Sequence, residues 1–132
     1  MIASGAYNYI NVLESVADAS WTRNSVISNN IANVDTPGYK RKDVQFELYL
    51  QEELSGGGSL DEEVAQVDLD VLDGTTYTDY GTVSYRLDGN NVDVDTENSY
   101  LAQNQIKYYT VLDSITQEFS RLKSVIKNGT GS

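Results

Sequence analysis

TENSYLAQNQIKYYTVLDSITQEFSRLKSVIK, residues 96–127, is the stretch on which the fold turns. Apolar side chains stand at Leu101, Tyr108, Leu112, Ile115, Phe119, Leu122 and Ile126, and Gln105 fills the remaining place. The steps alternate four and three throughout. An α-helix turns every ~3.6 residues, so this spacing lays the whole series along one stripe. The 3.5-residue average also favours a left-handed seam against a second helix. Asp95 is placed to cap this helix and Glu97 falls in its first turn. Lys123 and Lys127 complement the dipole at the far end, and Gly129 is placed to stop it. Thirty-two residues at ~1.5 Å each give a rod of about 48 Å.

A matching stripe lies near the other end, in residues 7–31. It comprises Ile10, Leu13, Ala17, Ser20, Asn24, Ile27 and Ile31, again in steps of three and four. Ser20 and Asn24 are polar, and polar seam residues fix register at a cost in stability. This helix is expected to end near Asn33, because Pro37 cannot occupy a helix interior and biases Thr36 towards extended geometry. The expected fold class is mainly α: two long terminal helices pairing as a coiled coil, with a small β-rich or irregular middle. Val12, Val16 and Val26 lie off the first stripe, and Ile106, Val111 and Val125 off the second. Such second faces ask for further neighbours. Heterologous contacts between subunits build an open helix when the rotation does not close. Without those neighbours the isolated chain is expected to be only partly ordered.

The chain divides into a first helix over 1–35, a turn and extended segment over 36–54, a Gly-rich loop or linker over 55–59, a β-rich middle over 60–94 and the last helix over 95–132. Thr36-Pro37-Gly38-Tyr39 spells a type II turn: Pro presets its φ and Gly tolerates positive φ at the next place. Asp43-Val44-Gln45-Phe46 alternates like a short strand, and 47–54 fits a helical turn or two. In 64–94, Val64, Val67, Leu69, Val71, Tyr77, Val83, Tyr85 and Leu87 alternate between glycine-marked turns.

Composition removes most chemistries. The chain has 132 residues, enough for one domain. Nine basic and 20 acidic residues give a net charge of −11, so nucleic acid is not an expected partner. Residues 41–100 carry a net −12, while 1–40 carry −1 and 101–132 carry +2. The near-neutral ends can self-associate with little repulsion. There is no cysteine and no histidine, which excludes thiol chemistry and the usual general base and metal ligand. The acidic runs at 68–74 and 88–93 put glycine at the wrong place for a calcium loop. No metal, cofactor or catalytic residue is expected. No window reaches the length of a membrane span, so an integral membrane protein is not expected, and residues 1–20 lack the pattern of a cleaved secretory signal.

The informative constellation is SNNIANVDTPGYK at 28–40. Asn29, Asn30 and Asn33 are three asparagines in five residues, which is costly inside a helix. Their amides donate and accept, which makes them candidates for pairing with backbone groups of a neighbouring chain. SNNIANVDTPGYKRKDVQFE at 28–47 closely resembles the signature of the flagellar basal-body rod family, with Asn29, Asn30, Ile31, Ala32, Asn33, Thr36, Pro37, Gly38 and Tyr39 carrying the motif. DGNNVDVDTENSYLAQNQIKYYTVLDSITQEFSRLKSVIKNG at 88–129 resembles the proximal-rod branch of the same family. The resemblance implies a structural subunit rather than an enzyme. It implies paired terminal helices lining a hollow helical drive shaft that transmits torque. It also implies export by the flagellar type III apparatus without a cleaved signal. The implied partners are further copies of itself, other rod subunits, the adaptor joining rod to inner-membrane ring, and the export apparatus. The competing readings are a coiled-coil adaptor or binding module with no polymeric role, a sister rod subunit, and a small carboxylate enzyme.

Overall fold

The structure is a computed structural model that describes residues 2–47, 50, 57–59, 62–63, 68, 74–81 and 86–130. Two long helices, α1 (Ile2–Ala32) and α2 (Val94–Thr130), flank two short strands, β1 (Lys42–Gln45) and β2 (Thr75–Thr78). The helices pack side by side and antiparallel. Asn30 near the end of α1 meets Glu97 at the start of α2, and Ser20 meets Asn104. Trp21 meets Tyr108, and Val12 and Val16 share a core with Val111. The strands pair antiparallel, with Lys42 opposite Thr78 and Gln45 opposite Thr75. No helix among the described residues is long and apolar enough to cross a membrane.

The first helix is sandwiched. Along its predicted stripe Ile10, Ala17, Ser20 and Ile27 are buried and Leu13 and Ile31 half-buried, and Ser20 meets Asn104 of α2. The other face carries Val12, Val16 and Ala19, which pack on Phe46 with Val44 and Leu50 beside it. The off-stripe valines at 12 and 16 are thus covered within the chain, by Phe46, Val44 and Leu50 and by Val111 of α2. Burial of two faces suits the sequence of α1, which is apolar or small over a broad arc.

The seam on α2 differs from the sequence reading by one residue in every second place. Leu101, Tyr108, Ile115 and Leu122 lie half-buried, as the stripe requires. At the alternate places the inward residues are Asn104, Val111 and Glu118, not Gln105, Leu112 and Phe119. Leu112 is 37% exposed, Phe119 51% and Ile126 61%. These three are more exposed than Leu101, Tyr108, Ile115 and Leu122, and Phe119 and Ile126 line an open groove with Tyr7 of α1. The cause is geometric: positions 104 and 105, or 118 and 119, sit only about 100° apart on the helix, and the partner decides which is chosen. The polar identity of Asn104 hid its burial.

Two helix ends also differ. Asp93, not Asp95, is the cap of α2: its Oδ1 accepts from the Asp95 N–H at 3.0 Å and the Thr96 N–H at 3.3 Å. The helix passes through Gly129 to Thr130 without the left-handed glycine that would end it. In the middle, Tyr77 lies in β2 and Leu87 is exposed. The strand positions read at Val64, Val67, Leu69, Val71, Val83 and Tyr85 lie outside the described residues, as do Ser55 and Gly56 of the Gly-rich run.

Candidate functional site

The asparagine-rich motif closes α1 and binds the chain to the start of α2. At the helix end the Asn33 N–H reaches the carbonyls of Asn29 and Asn30, both at 3.1 Å. The Tyr39 N–H donates to Thr36 O at 3.2 Å, and Gly38 has φ of 73°, the bond and the positive φ of a type II turn. A helix end leaves carbonyls without partners. Here the Asn90 amide, from just ahead of α2, donates to Asn33 O (2.9 Å), Val34 O (3.0 Å) and Thr36 O (2.9 Å). Arg86 also donates to Val34 O, and the Gly38 N–H to Asp88 O at 2.7 Å. The DGNN segment at 88–91 is thus a cap supplied from 50 residues away in the chain.

Asn30 is the hub. It is fully buried and its amide is saturated. Nδ2 donates to Lys42 O at 2.7 Å and to Glu97 Oε2 at 3.1 Å. Oδ1 accepts from the Lys42 N–H at 2.9 Å and from the Tyr39 hydroxyl at 3.1 Å. The side chain imitates a strand partner for Lys42 while holding α2 through Glu97. The sequence reading made these asparagines candidates for pairing across chains, but their bonds are made within the chain. Asn33 bonds Asn29 through its backbone carbonyl (2.8 Å) and its side chain (3.1 Å), and Thr36 donates to Asn33 Oδ1.

Beside this hub lies a charge network that the sequence reading missed. The Arg41 side chain is 8% exposed and touches three carboxylates: Glu97 at 2.5 Å, Asp79 at 3.0 Å and Asp43 at 3.1 Å. Asp43 also accepts from Nε and Nη2 of Arg23, at 2.8 and 3.3 Å. Both guanidinium groups lie 5.4 Å from the centroid of the Tyr100 ring. Burial opposes the charge on Arg41, but the hydrogen bond and field of Glu97, with the hydrogen bonds to Asp43 and Asp79, together outweigh it, and the pKa rises above the ordinary guanidinium value. Burial likewise raises Asp43, yet the Arg23 hydrogen bond, the Val44 N–H and the two arginine charges hold its carboxyl below the usual range. Breaking such a buried pair leaves an uncompensated charge and commonly costs about 3–5 kcal/mol. Nothing in this arrangement positions a nucleophile against a base. It fastens α1, β1, β2 and the start of α2 into one joint.

The other sequence-marked residues sit along the helix pair. Ile10, Ala17 and Ile27 are buried, and Leu13, Ile31, Leu101, Tyr108, Ile115 and Leu122 are half-buried. Tyr7, Phe119, Leu122, Lys123, Ile126 and Lys127 line an open groove of about 500 Å³ at the end of the pair far from the joint.

Residues 10–40, which span the seam of α1, its asparagine-rich end and the TPGY turn, match a family described as flagella basal body rod protein. Over 118 residues the chain is 39% identical to the flagellar basal body rod protein FlgB of Bacillus subtilis (strain 168), covering 89% of this chain and 92% of that protein. The chain belongs to the flagellar basal-body rod protein family. FlgB of Borreliella burgdorferi is 31% identical over 132 residues, covering 92% of this chain and 93% of that protein. FlgB of Escherichia coli (strain K12) is 29% identical over 120 residues, covering 81% and 84%. This rod protein therefore resembles FlgB along most of its length, beyond the stretch matched by the family. Its stretches 28–47 and 88–129 meet in the joint just described, while Arg23, Asp79 and β2 join it from outside them. Arg41, Asn90, Asn91 and Glu97 all lie within them, so the signal was present. What the sequence withheld was that one half caps the other.

Proposed function

We propose that this chain is a structural subunit of the proximal flagellar rod, which assembles through the face of α2 that its own α1 leaves exposed. The observation that carries the reading is the row Leu112, Phe119 and Ile126. These residues recur every seven places and are 37, 51 and 61% exposed on a helix in a family of rod proteins. An apolar row of this kind is costly in water and favourable against a neighbouring helix. The near-neutral ends of the chain lower the repulsion between copies. In this reading Ile10, Leu13, Ala17, Ile27, Ile31, Leu101, Tyr108, Ile115 and Leu122 hold the pair together, and the exposed row meets other subunits. The partners are further copies, other rod subunits, the adaptor between rod and inner ring, and the export apparatus. The chain travels unfolded through the flagellar type III system and works in the basal body, transmitting torque without catalysis.

Deleting the gene and complementing it with variants tests this. Phe119→Ala is expected to be exported normally but to be depleted several-fold from purified basal bodies. Ser120→Ala, exposed beside it, is the control and is expected to incorporate like the wild type. Glu118 is unsuitable for that role, because it turns inward and pairs with Arg121 at 3.0 Å. Equal incorporation of both variants overturns the assembly face. Full motility of the deletion strain overturns the rod reading itself.

A further inference from the structure

A polar side chain in a helix seam is costly unless each of its donors and acceptors finds a partner. Asn24 of α1 and Asn104 of α2 both line one small cavity of about 80 Å³, together with Ser20, Trp21, Gln105 and Tyr108. Asn104 is 2% exposed, and its Nδ2 donates to Ser20 O at 2.7 Å, which fixes the direction of the amide. Its Oδ1 is buried and receives no hydrogen bond among the described residues, and the same holds for Asn24 Oδ1. Two acceptors thus belong to residues lining one cavity, and none of the donor groups around it, on Ser20, Trp21, Gln105, Tyr108 and Tyr109, bonds to either. The rings of Trp21 and Tyr108, with centroids 5.8 Å apart, wall the same space.

We propose that Asn24 and Asn104 hold one buried water that bridges their Oδ1 atoms, and that this polar clasp fixes the register of α1 against α2. Water supplies two O–H donors, one for each acceptor. A site needs roughly 10–15 Å³ and at least two polar partners to hold it, and both conditions are met. The clasp has a specific task. Apolar seams with a seven-residue repeat tolerate sliding by one repeat, since apolar positions then meet apolar positions again. Sliding α2 by seven residues sets Asn104 against Leu13 and Ala17 in one direction, or Ile27 and Ile31 in the other. Either slip buries an amide against aliphatic side chains with no hydrogen-bond partner.

The test uses the full chain in solution and in crystals. Wild type is expected to show a long-lived water by oxygen-17 relaxation dispersion, with a water cross-peak to the Asn104 side-chain amide. Asn24→Leu is expected to lose one long-lived water and that cross-peak. Asn24→Ser keeps an acceptor and is expected to retain both. The chain has one tryptophan, so Trp21 reports register through a single indole N–H resonance. That resonance is expected to split in Asn24→Leu, with helicity unchanged. An unchanged water signal in Asn24→Leu overturns the bridge, and an unsplit Trp21 resonance overturns the register role. If Asn24→Leu fails to fold, a high-resolution crystal structure of the wild type decides. A common water on both Oδ1 atoms supports the proposal. A direct amide–amide bond, or a donor side chain from a second copy, overturns it.

Discussion

Asn30 shows how one side chain can decide a joint. Its four hydrogen-bonding positions serve the Lys42 backbone twice, Tyr39 once and Glu97 once. Aspartate has the same shape but no donor. Asn30→Asp therefore strands Lys42 O and sets a second carboxylate against buried Glu97. The expected loss is roughly 2 kcal/mol or more, read as a lower urea midpoint by circular dichroism. Asn29→Asp, on the exposed side of the same turn, is expected to lose less than about 1 kcal/mol. Comparable losses at the two positions would mean that the amide hub does not hold the joint. The clustering of asparagines was legible in the sequence as an expense needing a reason. Their partners were not, because Lys42 and Glu97 are unremarkable at the level of residue type and one of them is 67 residues away.

At the scale of elements, the two ends of the helix pair are unequal. Near the joint, α2 is held by Glu97, by the Asn104 bond to Ser20 and by Val111 in the core of Val12, Val16, Ala19 and Phe46. Beyond residue 118, its side chains are mostly exposed. Local opening is easiest where few apolar contacts are buried. Amide hydrogen exchange on dilute protein is therefore expected to fall off along α2. Protection should be strongest over 97–111 and at least tenfold weaker over 119–130. Uniform protection to the end of the helix would show that the far half of the pair is as well held as the joint. In the sequence the stripe at Leu101, Tyr108, Ile115 and Leu122 was legible. The alternate places were not, because a 3.5-residue repeat leaves two adjacent candidates and only the docked partner selects between them.

At the scale of the molecule, charge pulls in two directions. A net charge of −11 repels itself, and acidification relieves that repulsion. The joint responds the other way. The folded Asp43 carboxyl titrates below its unfolded value, so its contribution is complete above the unfolded pKa of about 3.9 and is lost as pH falls through the folded value. Glu47, held low first by its hydrogen bond to Lys107, has the same sign, but its side chain is 71% exposed and solvent screens it. Asp43→Asn removes the joint's term and leaves the global one. Wild type is expected to lose more stability than Asp43→Asn between pH 6 and pH 3, measured by urea midpoints at each pH. Parallel curves would show that Asp43 does not carry the acid sensitivity.

The sequence by itself determined that two amphipathic helices, one near each end, would form, because 3.5-residue spacing lays apolar side chains along one helix face that is costly to leave in water. It determined the TPGY turn, because proline and glycine restrict φ locally. It excluded thiol and imidazole chemistry by containing neither group. The tertiary structure alone decided which of two neighbouring residues entered the seam, that Phe46 covers the second face of α1, and that DGNN caps a helix far from it in the chain. Those outcomes depend on closing long loops and on pairing buried polar groups at a distance. Neither leaves a periodic trace in the sequence, whereas helix faces and turns are written in residues a few places apart.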